Sequence, residues 1–276
     1  MDRVAIAGVG LIGGSFALAL RKAGFAGEII GISSASTIQA AVARGAISRG
    51  TTLEEAAESA DVIYLAQPID QILRTLELLG PMAHSECLIT DAGSTKSVID
   101  EKARECLRSA TFVGGHPMAG KEQRGVENAD ADLFRNRAYV LTPPSRPGAN
   151  AEQFRGWLKR IGAQIVDMTP QLHDKTVALT SHLPQLLSTT LAATLAHSGE
   201  DSVARIFGPG LIDMTRLALS VPDLWTSILE SNRPFVLDGL RLFQKELCQA
   251  VSALESGDIT PLFVNAANFS RKIREK

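Results

Sequence analysis

The residues best suited to chemistry lie in the stretch FVGGHPMAGKEQRGVE, residues 112–127. A single imidazole, His116, stands there between a glycine pair and Pro117. Proline disfavours helical backbone in the residue before it, so His116 is expected to be extended. Gly114 and Gly115 are read as clearing space for a ligand beside the ring. An imidazole displayed in this way suits general-base work, because its neutral form can take a proton from a nearby hydroxyl. Ser94 in DAGSTK offers a hydroxyl that could touch His116 and fix its tautomer, or cap a helix starting at Thr95. His182 in SHLPQ falls in an expected helix two residues before Pro184. Proline removes an intrahelical hydrogen bond and distorts the preceding turn, which lets that ring point out of the helix. In GPGLIDMTRLA, Asp213 and Arg216 are three apart and share a helix face. Arg216 can grip a carboxylate with two parallel hydrogen bonds, oriented by Asp213, or the two can form a plain surface ion pair. Trp225 in PDLWTSIL either lines the same pocket or fills the core.

These groups need a scaffold, and the first half of the chain supplies an alternation of strand and helix. RVAIAGVG, GEIIGI, ADVIYLA, ECLITDAG and ATFVGG are short apolar runs of the kind expected for strands buried on both faces. Helical patterns such as LIGGSFALALRKAG and PIDQILRTLELLG separate them, and AYVLTP and AQIVDM read as two further strands. The expectation is an α/β protein with a doubly wound parallel sheet of Rossmann type. Its ligands bind beyond the carboxyl ends of the strands, the edge on which His116 and Ser94 both fall.

At the first strand–helix junction stands Gly8-Val9-Gly10-Leu11-Ile12-Gly13. The hexapeptide alone is a weak signal, but between a strand and a helix it marks a dinucleotide site. Gly8 allows the tight turn, Gly10 the approach of a pyrophosphate, and Gly13 close helix–strand packing. The N–H groups around Leu11 and Ile12 would face the phosphates. About 20 residues on, NAD-binding folds usually carry an acidic residue for the ribose 2′-hydroxyl. Ser33 holds that place here, followed by Ser34. With no carboxylate to repel a 2′-phosphate, NADP is favoured over NAD, with dual use compatible. No arginine follows directly; Arg44 and Arg49 are the nearest.

From Thr169 onward strand signals stop and the chain reads as helices. In one of them Val236, Leu240, Phe243, Leu247, Ala250 and Leu254 step by four and three, an apolar stripe that needs covering. The expected division is a dinucleotide-binding domain at 1–168 and a helical domain at 169–276 that binds substrate and pairs with a second copy. Net charge is −2 with no basic stripe, which argues against nucleic acid as a partner. No apolar run approaches the roughly 20 residues of a membrane span. The start shows no signal-peptide pattern, and three scattered cysteines suggest neither a disulfide framework nor a metal site, so the expected location is the cytoplasm.

The set GVGLIGGS, DAGSTKS, GGHPMAGKEQRGVE, SHLPQ and GLIDMTRLALSVPDLW resembles the prephenate and arogenate dehydrogenases of tyrosine biosynthesis, along essentially the whole chain. The resemblance implies oxidative decarboxylation of a cyclohexadienol ring: hydride passes to NAD(P), CO2 leaves, and the ring becomes aromatic. It implies that His116 accepts the proton of the ring hydroxyl with support from Ser94. Arg216 would hold the ring carboxylate and His182 would orient the substrate. The chain departs from the family at Ser33 and Ser34, where neither the acidic nor the arginine pattern is complete. It departs again at Lys121-Glu122, where threonine is common. The length leaves no room for a fused chorismate mutase or a regulatory domain, so any feedback by tyrosine is expected at the catalytic site. Two rivals remain open. One is a β-hydroxyacid or 6-phosphogluconate-type dehydrogenase with Lys175 as its catalytic lysine; the other is a dinucleotide-binding sensor without turnover.

Overall fold

The structure is a computed structural model that describes residues 1–121, 123–146, 148–199 and 202–275. Six parallel strands form the main sheet in the order β3-β2-β1-β4-β5-β6: β1 (Arg3–Ala7), β2 (Glu28–Ile32), β3 (Arg49–Gly50), β4 (Val62–Leu65), β5 (Leu88–Asp91) and β6 (Thr111–Val113). The helices between them are α1 (Leu11–Lys22), α2 (Ala35–Ala43), α3 (Leu53–Ser59), α4 (Ile69–Leu79) and α5 (Ser97–Cys106). The strands are apolar throughout because both faces are covered. Alternate side chains serve different cores: Val4, Ile6, Val62 and Tyr64 face one, Ala5, Ala7, Ile63 and Leu65 the other. Phe16 of α1 stacks on Tyr64 at 4.2 Å between ring centroids, which clamps the first helix to the sheet. Strand order reverses between β1 and β4, and that is where such sheets open a ligand crevice.

After β6 the chain departs from expectation. AYVLTP and AQIVDM do not extend the parallel sheet. They form β8 (Ala138–Leu141) and β9 (Gln164–Asp167) of a separate three-stranded sheet, with α6 (Ala149–Arg160) between them. Its first strand is β7 (Gly115–Pro117), antiparallel to β8 with His116 opposite Val140. The glycine pair explains the switch. A Cβ at Gly115 would stand 2.5 Å from Asp91 O, and one at Gly114 2.8 Å from Thr142 Oγ1. The two glycines therefore make room for the protein's own chain to cross the end of β5, and not, as the sequence suggested, for a ligand. His116 accordingly sits on a strand rather than in an open loop.

From Pro170 onward the elements are helical: α7 (Pro170–Val177), a π-turn over Ala178–His182, α8 (Leu183–His197), α9 (Pro209–Thr215), a 3-10 turn over Arg216–Leu219, α10 (Pro222–Ser231), α11 (Arg233–Ser256) and α12 (Thr260–Arg274). The stripe on α11 is buried at Val236 and half-buried at Leu240, but Phe243, Leu247 and Leu254 are exposed. Phe263, Val264, Phe269 and Ile273 of α12 are exposed as well. None of the described helices is long and apolar enough to cross a membrane.

Candidate active site

Gly8, Val9 and Gly10 line a cleft of about 400 Å³ together with Ser33, Ser34 and Thr37 after β2, Gln67 and Gln71 around the start of α4, and Gly125–Glu127. Gly8 has φ +90°, and a Cβ there would meet Ala66 O at 2.4 Å, so only glycine fits the turn. Gly10 has open space where its Cβ would be, and no side chain caps α1 behind it. An uncapped helix N-terminus facing an open cleft fits a dinucleotide pyrophosphate. Gly13 packs against Gly8 O, as its close-packing role requires. Leu11 and Ile12 turn their side chains onto the core, so only their backbone is placed for a ligand.

Ser33 and Ser34 are exposed at the cleft, and Ser34 Oγ caps α2 by accepting from Thr37 N (3.3 Å). Neither Arg44 nor Arg49 lines the cleft. Arg44 donates to Glu127 O (2.8 Å) and Ala129 O (2.9 Å), and Arg49 pairs with Glu28 and Glu55. Of the second departure, Lys121 reaches Asp130 at 2.9 Å, and Glu122 lies outside the described residues.

At the same edge of the sheet a cluster of buried polar groups surrounds His116. Asp91, the last residue of β5, accepts from Gly115 N (3.0 Å) and Gly93 N (2.8 Å) and pairs with the buried ammonium of Lys96. Lys96 Nζ also donates to Gly115 O (2.7 Å). The strand that carries His116 is thus pinned by a buried ion pair. Burial pulls the Lys96 pKa down while Asp91 pulls it up; the net shift is downward.

His116 Nδ1 lies 2.8 Å from His173 Nε2, and His173 Nδ1 lies 2.8 Å from Asp174 Oδ1. Both partners come from α7, and both are fully buried there. Asp174 also accepts the N–H groups of Lys96 (2.7 Å) and Ser97 (2.8 Å). Two expectations for Ser94 are thereby corrected. The cap of α5 is the carboxylate of Asp174, since the helix starts at Ser97 and not Thr95, and the Nδ1 contact of His116 goes to His173. Ser94 remains half-buried on the loop after β5. Burial, then the neighbouring His173, Lys96 and His182, hold the His116 pKa well below the ordinary imidazole value. Burial raises the Asp174 pKa, but hydrogen bonds from His173 and Ser97 outweigh it and leave Asp174 an anion.

His182 is buried at the end of the π-turn, as the proline ahead of it suggested for a distorted backbone. Its Nδ1 accepts from Asn232 Nδ2 (3.2 Å), whose other N–H goes to Asp174 O (2.8 Å). Burial, followed by His173, brings the His182 pKa down to about 4 against the pull of Asp174, so the ring is neutral and carries its proton on Nε2. Trp225 meets the His182 ring edge-on at 6.0 Å and packs against the second core. His116, His182 and Trp225 thus join one network through His173, Asp174 and Asn232. Asp213 stands on α9 and Arg216 on the 3-10 turn after it. Both are exposed, and they do not share one regular helix, because α9 ends at Thr215 and Arg216 opens the 3-10 turn. That turn is tied to α8 by Gln185 Nε2 donating to Leu217 O (2.8 Å) and Ala218 N to Ser188 Oγ (3.1 Å).

His173, Asp174 and Asn232 were missed in the sequence. The available signal was an adjacent His-Asp pair on the apolar side of α7, one turn before Val177. Lys175, the residue of the rival reading, is exposed on that helix.

A parallel sheet in this order, an open glycine turn and a neutral imidazole at the same edge fit a dinucleotide-dependent dehydrogenase. Two family models match the chain: "Prephenate dehydrogenase, nucleotide-binding domain" over residues 16–167 and "Prephenate dehydrogenase, dimerization domain" over residues 169–266. The prephenate dehydrogenase of Bacillus subtilis is 37% identical over 272 residues, which cover 95% of this chain and 72% of that one. The prephenate dehydrogenase of A. aeolicus, solved with hydroxyphenyl propionate and NAD+, superposes with a TM-score of 0.90 at 30% identity, covering 99% of this chain and 98% of the other. The arogenate dehydrogenase of Synechocystis gives 0.85 at 30% identity, covering 98% and 99%. The chain belongs to the prephenate dehydrogenase family.

Proposed function

We propose that this chain oxidatively decarboxylates prephenate, arogenate or both, with NAD(P) as hydride acceptor. The observation that carries this reading is His116, a neutral imidazole fixed on β7 at the carboxyl edge of the dinucleotide sheet. A nicotinamide dinucleotide held at Gly8, Gly10 and Ser33 would supply the hydride acceptor for the ring carbon that bears the hydroxyl. His116 takes the hydroxyl proton on Nε2 as that carbon becomes a carbonyl, and Ser94 hydrogen-bonds on the same side. His182 offers its Nε2–H to orient the substrate, and Trp225 backs that ring. Arg216, steadied by Asp213, holds the ring carboxylate until it departs as CO2. Loss of Arg216 therefore acts chiefly on KM.

The adenosine 2′ position selects the cofactor. No carboxylate ends β2, and Ser33, Ser34 and Thr37 offer hydroxyl donors, which supports NADP as the first reading. The second reading, NAD first, is favoured by a specific observation: among the described residues lining the cleft there is no lysine or arginine, and Glu127 is present. The division at 1–168 and 169–276 follows from the same assignment, with the helical part pairing two copies in the cytoplasm through α11 and α12. Incubation with each substrate and each cofactor, read as reduced nicotinamide absorbance, tests the proposal. Reduction with neither substrate overturns it.

A further inference from the structure

Resting on the reading of His116 as the base, we propose that His173 and Asp174 are positioning residues. They hold the His116 proton on Nδ1 and keep Nε2 bare toward the reacting hydroxyl.

The proton positions follow from donor and acceptor counting. Asp174 is ionised and can only accept, and it already takes two backbone N–H groups at the start of α5. The hydrogen in its 2.8 Å contact with His173 therefore sits on His173 Nδ1. The proposal takes His173 with a single ring hydrogen, which leaves one lone pair, on Nε2, 2.8 Å from His116 Nδ1. An acceptor at that place requires a donor opposite, so His116 carries its hydrogen on Nδ1. A neutral imidazole has one N–H, and Nε2 is left as the lone-pair nitrogen.

The chain has little freedom to invert. His173 is fully buried, its ring meets that of His116 edge-on at 5.0 Å, and Asp174 is locked to α5. Charge is arranged to match. His116 on β7 faces His173 and Asp174 from α7, Lys96 with its partner Asp91 from the β5–α5 connection, and His182 from the π-turn. Burial and the Lys96 ammonium oppose a cation at residue 116. Asp174 is the anion that supports the imidazolium once Nε2 has taken the hydroxyl proton, through the unbroken Nδ1–H contacts. No proton moves along the His116–His173–Asp174 contacts: one O–H bond breaks, one Nε2–H bond forms, and Asp174 stays ionised. The same division of labour orients the histidine of serine protease triads.

Three measurements test this. In the wild-type protein at pH 7, the ¹⁵N resonances of His116, assigned by their loss in His116→Asn, should show a protonated Nδ1 and a bare Nε2. A proton on Nε2 instead overturns the proposal, whatever any variant does. His173→Leu should lower kcat about tenfold or more, leaving dinucleotide affinity unchanged and substrate KM within about threefold. The double variant His116→Asn/His173→Leu should then be no slower than His116→Asn alone, because His173 acts through His116. Losses that multiply would show an independent structural role and overturn the proposal. Asp174→Leu removes the acceptor that fixes the His173 hydrogen on Nδ1, so the ¹⁵N spectrum of His116 should lose its single Nδ1–H form and show a proton shared with Nε2, with kcat reduced. An unchanged tautomer in folded Asp174→Leu overturns the proposal. Full activity in His116→Asn would instead sink the base assignment, and the wild-type spectrum would still decide the positioning.

Discussion

The sheet half and the helical half of this molecule finish their cores differently. Around the main sheet nearly every large apolar side chain is enclosed, from Val4 and Ile6 on one face to Ile63 and Leu65 on the other. In the helical half, α11 runs for 24 residues yet buries only Val236 and Gly239, and α12 buries nothing. The first half satisfies its own hydrophobic pattern; the second presents half of one. Large contiguous exposed apolar faces mark contact surfaces. The buried histidine network lies where the halves meet, with His116 from one and His173, His182 and Asn232 from the other. Cofactor binding should therefore be a property of the sheet half alone, while catalysis needs both.

Substituting residues on each side should pull these properties apart. The largest effect is expected from His116→Asn, with kcat down about 100-fold or more and dinucleotide affinity near wild type. If titration of the variant with NADP and NAD showed lost cofactor binding instead, the base assignment would be wrong. Next is Leu247→Lys on the exposed stripe of α11. If two copies pair there, each loses a buried side chain worth about 1.5–3 kcal/mol, and sedimentation should show association weakened tenfold or more. Cofactor affinity in the same sample should not change. A wild-type chain that sediments as a monomer would end the pairing assignment.

A smaller change is expected from Ser33→Asp, which adds a carboxylate beside the adenosine ribose and should move preference toward NAD by about tenfold, roughly 1.4 kcal/mol. An unchanged ratio of kcat/KM values would place Ser33 away from the 2′ position. The smallest signal is in the pH profile. A base must be neutral to act, and burial, with His173, Lys96 and His182 beside it, holds the His116 pKa well below the ordinary value. The acid limb of kcat/KM should therefore fall below pH of about 6.5, with activity flat above it. A limb centred at the ordinary imidazole value would contradict that electrostatic picture.

What could be read in the sequence was whatever short-range pattern encodes. The glycine turn, the strand alternation and the distorted backbone before Pro184 each depend on residues a few positions apart, and each stands in the structure. What could not be read depends on distant partners. The contact between His116 and His173 joins positions 57 apart, and that of Asn232 with Asp174 spans 58. Gly114 and Gly115 were legible as close-approach residues, but the approaching atoms, Thr142 Oγ1 and Asp91 O, come from distant positions, just after β8 and at the end of β5. The second sheet escaped for the same reason: β8 and β9 carry ordinary strand patterns, and it is their pairing with β7, just past Gly114, that sets them in a sheet of their own.

The wide turn at Ala178–His182 has a consequence for how the helical half can evolve. A π-turn holds one residue more than regular α-helix would accommodate. Removing that residue would rewind the segment and rotate everything after it by about 100° around the axis. His182 would swing away from Asn232, and Gln185 and Ser188 would lose their grip on the turn that carries Arg216. One extra amino acid thus sets the angular phase of α8, so that the ring facing the histidine network and the side chains holding the guanidinium segment are correctly aimed together or not at all.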